Sequence, residues 1–295
     1  MEVVFSKEIK IFEKEVILLS IKNISDFINE LKKIPAPRKT ELFFRGHSDI
    51  DYELKPGIYR NTNLISNEHI LFKEFILRTP TDFLNEKSAL EKLVKMQHYG
   101  LPTRLLDITS NPLVALYFAC NGDYKKDGKV ISFRIPNSYI KYYDSDTVSI
   151  LSNISKRPDD FNIKDIANLN TKEFNEKENI QYLLHEIREE KAYFQSIINP
   201  EDIGKVVAVK VKQSNIRIIK QSGAFLIFGI NIEKMNPAMV PIKWIVDSSK
   251  EKIDFTINKD DKKLILKELD SLGINEATLF PELDNQARYL KNKYV

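Results

Sequence analysis

The stretch MQHYGLPTRLLDITSNPLVALYFA, residues 96–119, sets His98, Tyr99, Thr103, Arg104 and Asp107 around a Gly-Leu-Pro turn and then runs into an apolar helix. That much hydrogen-bonding capacity in one loop either solvates itself or holds something polar. In the first case His98 caps the carbonyls of a helix end and Arg104 pairs with Asp107. In the second the cluster forms one wall of a cleft. Arg45 follows the apolar run TELFF and precedes Gly46. A guanidinium at a strand end offers a planar fork of donors to a phosphate or carboxylate, beside a small residue that lets a ligand approach the backbone; alternatively it pairs with Asp49 or Asp51 and fixes the loop. Gln221 opens QSGAF, residues 221–225. Its carboxamide can orient a hydroxyl or an amide but cannot act as a general base, and Gly223 marks a bulge or a close backbone contact.

Other chemistries lack their signatures. The chain holds no Walker A loop, no G-x-G-x-x-G, no H-E-x-x-H and no G-x-S-x-G, which removes the motif basis for P-loop ATPases, Rossmann dehydrogenases, zinc proteases and α/β-hydrolases. Four scattered histidines and the single Cys120 make no metal-ligand set, so no metal is expected. That cysteine excludes an internal disulfide and, at the end of an apolar run, reads as a buried, inert thiol suited to a reducing compartment. Basic and acidic residues number 45 and 42 and are spread along the chain, with no basic block to name a partner. No stretch approaches the roughly 18 apolar residues of a membrane span, and the N-terminus lacks the apolar core of a leader. The expectation is a cytoplasmic protein with no membrane partner.

The elements that must position these residues follow from periodicity and punctuation. VVFSKEIKIF, residues 3–12, reads as a strand, and SDFINELKKI as a helix capped by Ser25 with Phe27, Ile28 and Leu31 on one face. TELFFRGH reads as a buried strand, residues 66–97 as two helices split near Pro80 and closed by Gly100, and TRLLDI as a short strand. SNPLVALYFAC starts a helix with Ser110 as its cap and Pro112 in its first turn. GKVISFRIP alternates as a strand. Residues 137–204, rich in Asn, Asp, Lys and Ser, read as a variable insertion carrying one helix at NIQYLLHEIREEKAYFQ. KVVAVKVK, IRIIKQSGAFLIFGI, MVPIKWIVD and KIDFTI read as successive strands, before the helix DDKKLILKELDSLG and the segment NEATLFPELDNQARYLKN. The layout is α+β: residues 1–20 form an N-terminal strand or extension, and residues 21–295 form one domain with the insertion at about 137–204.

FFRGHSDIDYELKPGIYR, EKLVKMQHYGLPTRLLDITSNPLVALYFAC, QSGAF and ATLFPELDNQARYL, in that order, resemble the bacterial FRG domain, named for the Phe-Arg-Gly found here at Phe44, Arg45 and Gly46. More distantly, an arginine ending the first core strand, then a strand running into Thr-Ser and an A-x-x-F-A helix, is similar to the NAD-binding core of ADP-ribosyltransferases. That likeness implies a split arrangement of short mixed and antiparallel strands flanked by helices. It implies catalytic roles for Arg45, His98 and Gln221, and NAD contacts from Arg45, Gly46, Tyr99, Thr103, Arg104, Asp107, Thr109, Ser110 and Phe118, the last with Ala115 in the A-x-x-F-A helix. Gln221 stands where most active transferases carry Glu. The function implied is transfer of ADP-ribose from NAD to a macromolecule, as a bacterial toxin or phage-defence effector with an antitoxin or chaperone partner. RNA is preferred slightly to protein or DNA as acceptor, since Tyr52, Tyr59 and Tyr99 can stack a base. NAD hydrolysis and a non-catalytic nucleotide- or nucleic-acid-binding module are the alternatives.

Overall fold

The computed structural model describes residues 17–35, 38–246 and 253–294. Its strands are β1 (Ile17–Ile21), β2 (Thr40–His47), β3 (Leu105–Thr109), β4 (Gly128–Pro136), β5 (Ile140–Tyr142), β6 (Val206–Lys210), β7 (Gly223–Phe228), β8 (Ile230–Asn231), β9 (Glu233–Pro237) and β10 (Ile253–Ile257). Eight of them form one open mixed sheet in the order β1-β10-β4-β2-β3-β7-β6-β5, and β8 and β9 form a small separate hairpin. The two outermost pairs, β1 with β10 and β5 with β6, run parallel; the neighbours between them are antiparallel.

Side chains alternate across a strand, and the sheet uses both faces. Phe43, Leu106, Ile108, Phe133 and Leu226 lie on one, packed around the buried Trp244. The other face carries two separate helical layers. Phe44, Val130 and Phe255 pack beneath helices Ile24–Leu31, Pro112–Cys120 and Lys262–Ser271. Leu105, Phe225, Ile227 and Val207 pack beneath helices Ala89–His98, Asp146–Asn153 and Glu178–Arg188. Between the two layers the sheet itself parts. β2 pairs with β4 along its whole length, from Thr40↔Pro136 to His47↔Lys129, but meets β3 only at Phe44↔Thr109.

Helix Pro112–Cys120 is buried almost all round, with Ala115, Leu116, Ala119 and Cys120 fully covered. Burial pushes the Cys120 thiol up to about 12, away from reactivity. Its cap is Asn111, whose carboxamide oxygen accepts from the Leu113 N–H at 3.0 Å, and not Ser110. Likewise Asn23, not Ser25, caps the first helix. In both cases the polar residue just before Pro or Ile wins because the helix starts one or two residues away from the expected cap.

Three further expectations change. IRIIK is a helical turn, Ile216–Lys220, capped by Asn215. The MVPIKWIVD segment forms a short 3-10 turn at Ile242–Trp244 and one bridge from Ile245 to Phe133 where a strand was expected. Residues 137–204 build core: Val148, Leu151, Phe174, Ile180, Leu183, Leu184 and Ile187 are all fully buried in the larger helical layer. The strand expected at residues 3–12 lies outside the described residues.

Candidate functional site

Where β2 and β3 diverge, their ladder is interrupted and backbone groups need other partners. Arg45 supplies one. Its Nη1 donates to the Asp107 carbonyl at 2.6 Å, bridging the opening, and lies 3.8 Å from the Asp107 carboxylate. Its Nε donates to His47 Nε2 at 3.0 Å. The Arg45 side chain is 15% exposed and that of Asp107 64% exposed, so the pair joins a buried cation to a solvent-facing anion. Burial pulls the Arg45 guanidinium down to about 10, against the opposing pull of Asp107; at neutral pH it remains a cation.

The opening holds a cavity of about 230 Å³ whose aromatic and apolar wall includes Phe44, Phe118, Phe225 and Ile108. Polar groups reach it from Arg45, Asp107, Thr109, Arg217, Gln97 and Gln221. Two guanidinium groups thus face one carboxylate around a largely apolar hollow, a composition that suits a planar, anionic ligand.

The Thr-Ser step ending β3 acts as a clamp on the loop that carries Gln221. Thr109 Oγ1 donates to the Gln221 carbonyl at 2.7 Å, and the Ser110 N–H donates to the Ser222 carbonyl at 3.1 Å. Ser222 is held at φ +47°, a left-handed conformation that these bonds help to impose. Gln221 Nε2 in turn donates to the Leu279 carbonyl at 3.0 Å. Next along, Phe280 packs edge-on against Phe118 and lies under the Arg217 guanidinium, 4.5 Å from ring centre to Cζ. The four sequence motifs therefore converge: each touches the cavity or a residue that lines it.

Not every expected residue is there. Arg104 neither faces the cavity nor pairs with Asp107. It is fully buried and grips Glu68 with two nitrogens, Nε at 2.9 Å and Nη2, while Nη1 donates to the Phe228 carbonyl at 3.0 Å. Lys234 Nζ, also fully buried, lies 3.1 Å from the same carboxylate. The reason is alternation: Arg104 sits just before β3, opposite Phe228, and points to the face away from Leu105, where only a buried counter-ion makes a cation tolerable. Thr103 is buried as well, bonding Gln97 and the Leu105 N–H. Gly46 lines the cavity, but its smallness serves packing: a Cβ there would come within 2.0 Å of the Ala115 carbonyl oxygen and 2.5 Å of the Ala119 nitrogen. Ser110 borders the cavity only through the Gln221 loop. Tyr59 is buried, and Tyr52 lies beneath Arg60, 5.7 Å from its ring centre.

His98 stands beside the cavity and caps nothing. The helix closes instead through Tyr99 and Gly100, at φ +86°. The His98 ring lies with Nδ1 3.1 Å from Asn215 Nδ2 and Nε2 3.4 Å from Glu282.

Sequence reasoning missed Arg217, because IRIIK looked like a strand, although Asn215 ahead of it is a helix-start signal. It also missed His47, which period-two alternation places on the face of Arg45. His47 is buried, and burial, then the charges of Arg45, Lys129 and Arg60, hold its imidazole down to about 3. The folded state then refuses a proton that the unfolded chain takes up near pH 6.5. Stability is complete above about pH 6.5 and declines as pH falls toward about 3, by about 1.4 kcal/mol per pH unit for this one group. His47→Gln should flatten the decline of the urea midpoint between about pH 6.5 and 5, leaving a residual slope from His69 and His98, both shifted down by burial. An unchanged slope would rule out this role for His47.

Among the described residues no group of three or more His, Cys, Asp or Glu is placed to hold a metal ion, and no helix is long and apolar enough to cross a membrane. Residues 40–128 match the FRG domain. That span runs from β2 to the first residue of β4 and includes the parted strands, and the match supports the resemblance to that family. No curated protein and no solved structure matched the chain.

Proposed function

Starting from a chain whose residues 40–128 match the FRG domain, we propose that the parted sheet is the active site of an ADP-ribosyltransferase. NAD is the substrate and a macromolecule the acceptor, RNA ahead of protein or DNA, and the protein acts in a bacterial cytoplasm as a toxin or phage-defence effector. The observation that carries this reading is the opening between β2 and β3, with Arg45 bridging it and Arg217 on its rim. In the proposed reaction the bond from the ribose C1′ to the nicotinamide nitrogen breaks, and nicotinamide leaves with the bonding pair. The acceptor's nucleophile then bonds C1′ and gives up its proton. Arg45 and Arg217 neutralise the substrate's phosphates, which orients the ribose. Phe44, Phe118 and Phe225 exclude water from the breaking bond. Asp107, the carboxylate at the cavity, offsets the positive charge developing on the ribose and is placed to receive the acceptor's proton.

The Gln221 side chain favours a second reading. Its amide is committed to the Leu279 carbonyl, so this wall positions a loop and supplies no carboxylate, as expected of a nucleotide-binding module without turnover. Incubation with NAD labelled in the adenylate separates the readings. Label on RNA, DNA or protein is the expected result. Free nicotinamide without labelled polymer would replace transfer by NAD hydrolysis, and intact NAD in the presence of candidate acceptors would leave the binding module.

A further inference from the structure

The cavity between β2 and β3 does not stand alone. A recess of about 50 Å³ adjoins it, sharing Asp107, Arg217 and Gln221 with the cavity. That recess also shares Val94 and His98 with a second hollow of about 320 Å³. Three depressions thus lie end to end, with His98 at the neck.

The two ends differ in chemistry. Around the first, Arg45 and Arg217 face the one carboxylate of Asp107. Around the second, cations and anions are matched pairwise: Lys95 lies 3.0 Å from Glu86, and Lys212 2.8 Å from Glu91. What that hollow does offer is aromatic surface. Tyr99 is 64% exposed and Tyr143 37% exposed, and the Lys212 ammonium sits over the Tyr143 ring at 4.7 Å. Tyr99 is braced edge-on against His98, with ring centres 4.8 Å apart.

We propose that this second hollow is a subsite for the distal base of a dinucleotide, stacked on Tyr99 and Tyr143, while the anionic linker lies past His98 at Arg217 and Arg45. The inference deepens the proposed function and rests on it for the identity of the substrate. Charge decides against a polynucleotide in this hollow. A strand would bring phosphates to a wall whose lysines are already paired, whereas a single neutral base needs only a ring face. The length of the groove also answers the small size of the first cavity, which holds part of a dinucleotide and leaves the rest to be placed.

The test titrates the full chain with ADP-ribose and, separately, with ribose 5-phosphate, which lacks the base. Tyr99→Ala should weaken ADP-ribose by roughly tenfold or more and leave ribose 5-phosphate unchanged; Tyr99→Phe, which keeps the ring face, should restore affinity. Arg217→Ala should weaken both ligands. ADP-ribose affinity within about twofold of wild type in both Tyr99→Ala and Tyr143→Ala would overturn the subsite, as would absence of ADP-ribose binding to the wild type at millimolar concentration. Nicotinamide release from NAD keeps the two readings apart. Release with a KM unmoved by Tyr99→Ala removes the subsite and leaves cleavage of NAD at the parted sheet, whereas Tyr99-dependent binding of ADP-ribose without release keeps the subsite and removes the transferase.

Discussion

Glu68→Gln should lower the folding free energy by about 3–5 kcal/mol, the range for breaking a buried ion pair. Its carboxylate takes two nitrogens of Arg104 and the ammonium of Lys234, and all three side chains are buried. Burial alone would push the Glu68 carboxyl up, but the adjoining charges of Arg104 and Lys234 outweigh it and hold it below its ordinary range. Removing that single anion strands two cations. Removing Arg104 does not: Arg104→Met leaves Glu68 and Lys234 as a balanced pair and should cost less, about 1–3 kcal/mol for the lost charged hydrogen bonds. The ordering is the test. Urea unfolding at neutral pH should place Glu68→Gln well below Arg104→Met, with unchanged m-values; equal costs would mean that Lys234 does not share the carboxylate. Since Arg104 and Asp107 do not meet, their double variant should be additive in stability.

Arg45→Ala should cut affinity for ADP-ribose, and turnover of NAD, on the order of 10²-fold, the loss expected when a pair of charge-assisted hydrogen bonds to phosphate is removed. The fold should survive at a cost of about 1–2 kcal/mol, because the arginine also satisfies His47 Nε2 and the Asp107 carbonyl across the opening. Arg45→Lys separates the two roles. A lysine keeps the charge but not the planar fork, so it should regain thermal stability more fully than affinity. Calorimetric titration with ADP-ribose beside a thermal melt measures both; wild-type affinity in Arg45→Ala would dismiss Arg45 as the anion-gripping group.

Local patterns carried much of the fold. The apolar run ending at Arg45-Gly46 is β2, and the helix closing at Gly100, the short strand after it and the helix begun at Pro112 stand where periodicity and punctuation put them. Misreadings arose where local signals were ambiguous. A short apolar run such as IRIIK fits strand or helix equally. The polar composition of residues 137–204 hid a minority of apolar residues whose helical spacing builds the larger core layer.

The candidate site was legible as a set of motifs but not as a geometry. Local pattern put Thr109 at the end of a short strand and Gln221 in the turn before another, because strand length and turn residues are local properties, but Arg45 and Asp107, expected at strand ends, lie within β2 and β3, whose ladders run on to His47 and Thr109. Tertiary structure decided which of them share a space. Arg104 and Asp107 are three residues apart, yet one is sealed against Glu68 and the other faces solvent beside Arg45, since an odd offset along an extended chain reverses the face. It also brought in Arg217 and Phe280, far from Arg45 in the chain, and it alone parted β2 from β3. Strand pairing is a contact between distant segments, set by how two helical layers seat on one sheet, and no local pattern encodes where that pairing stops.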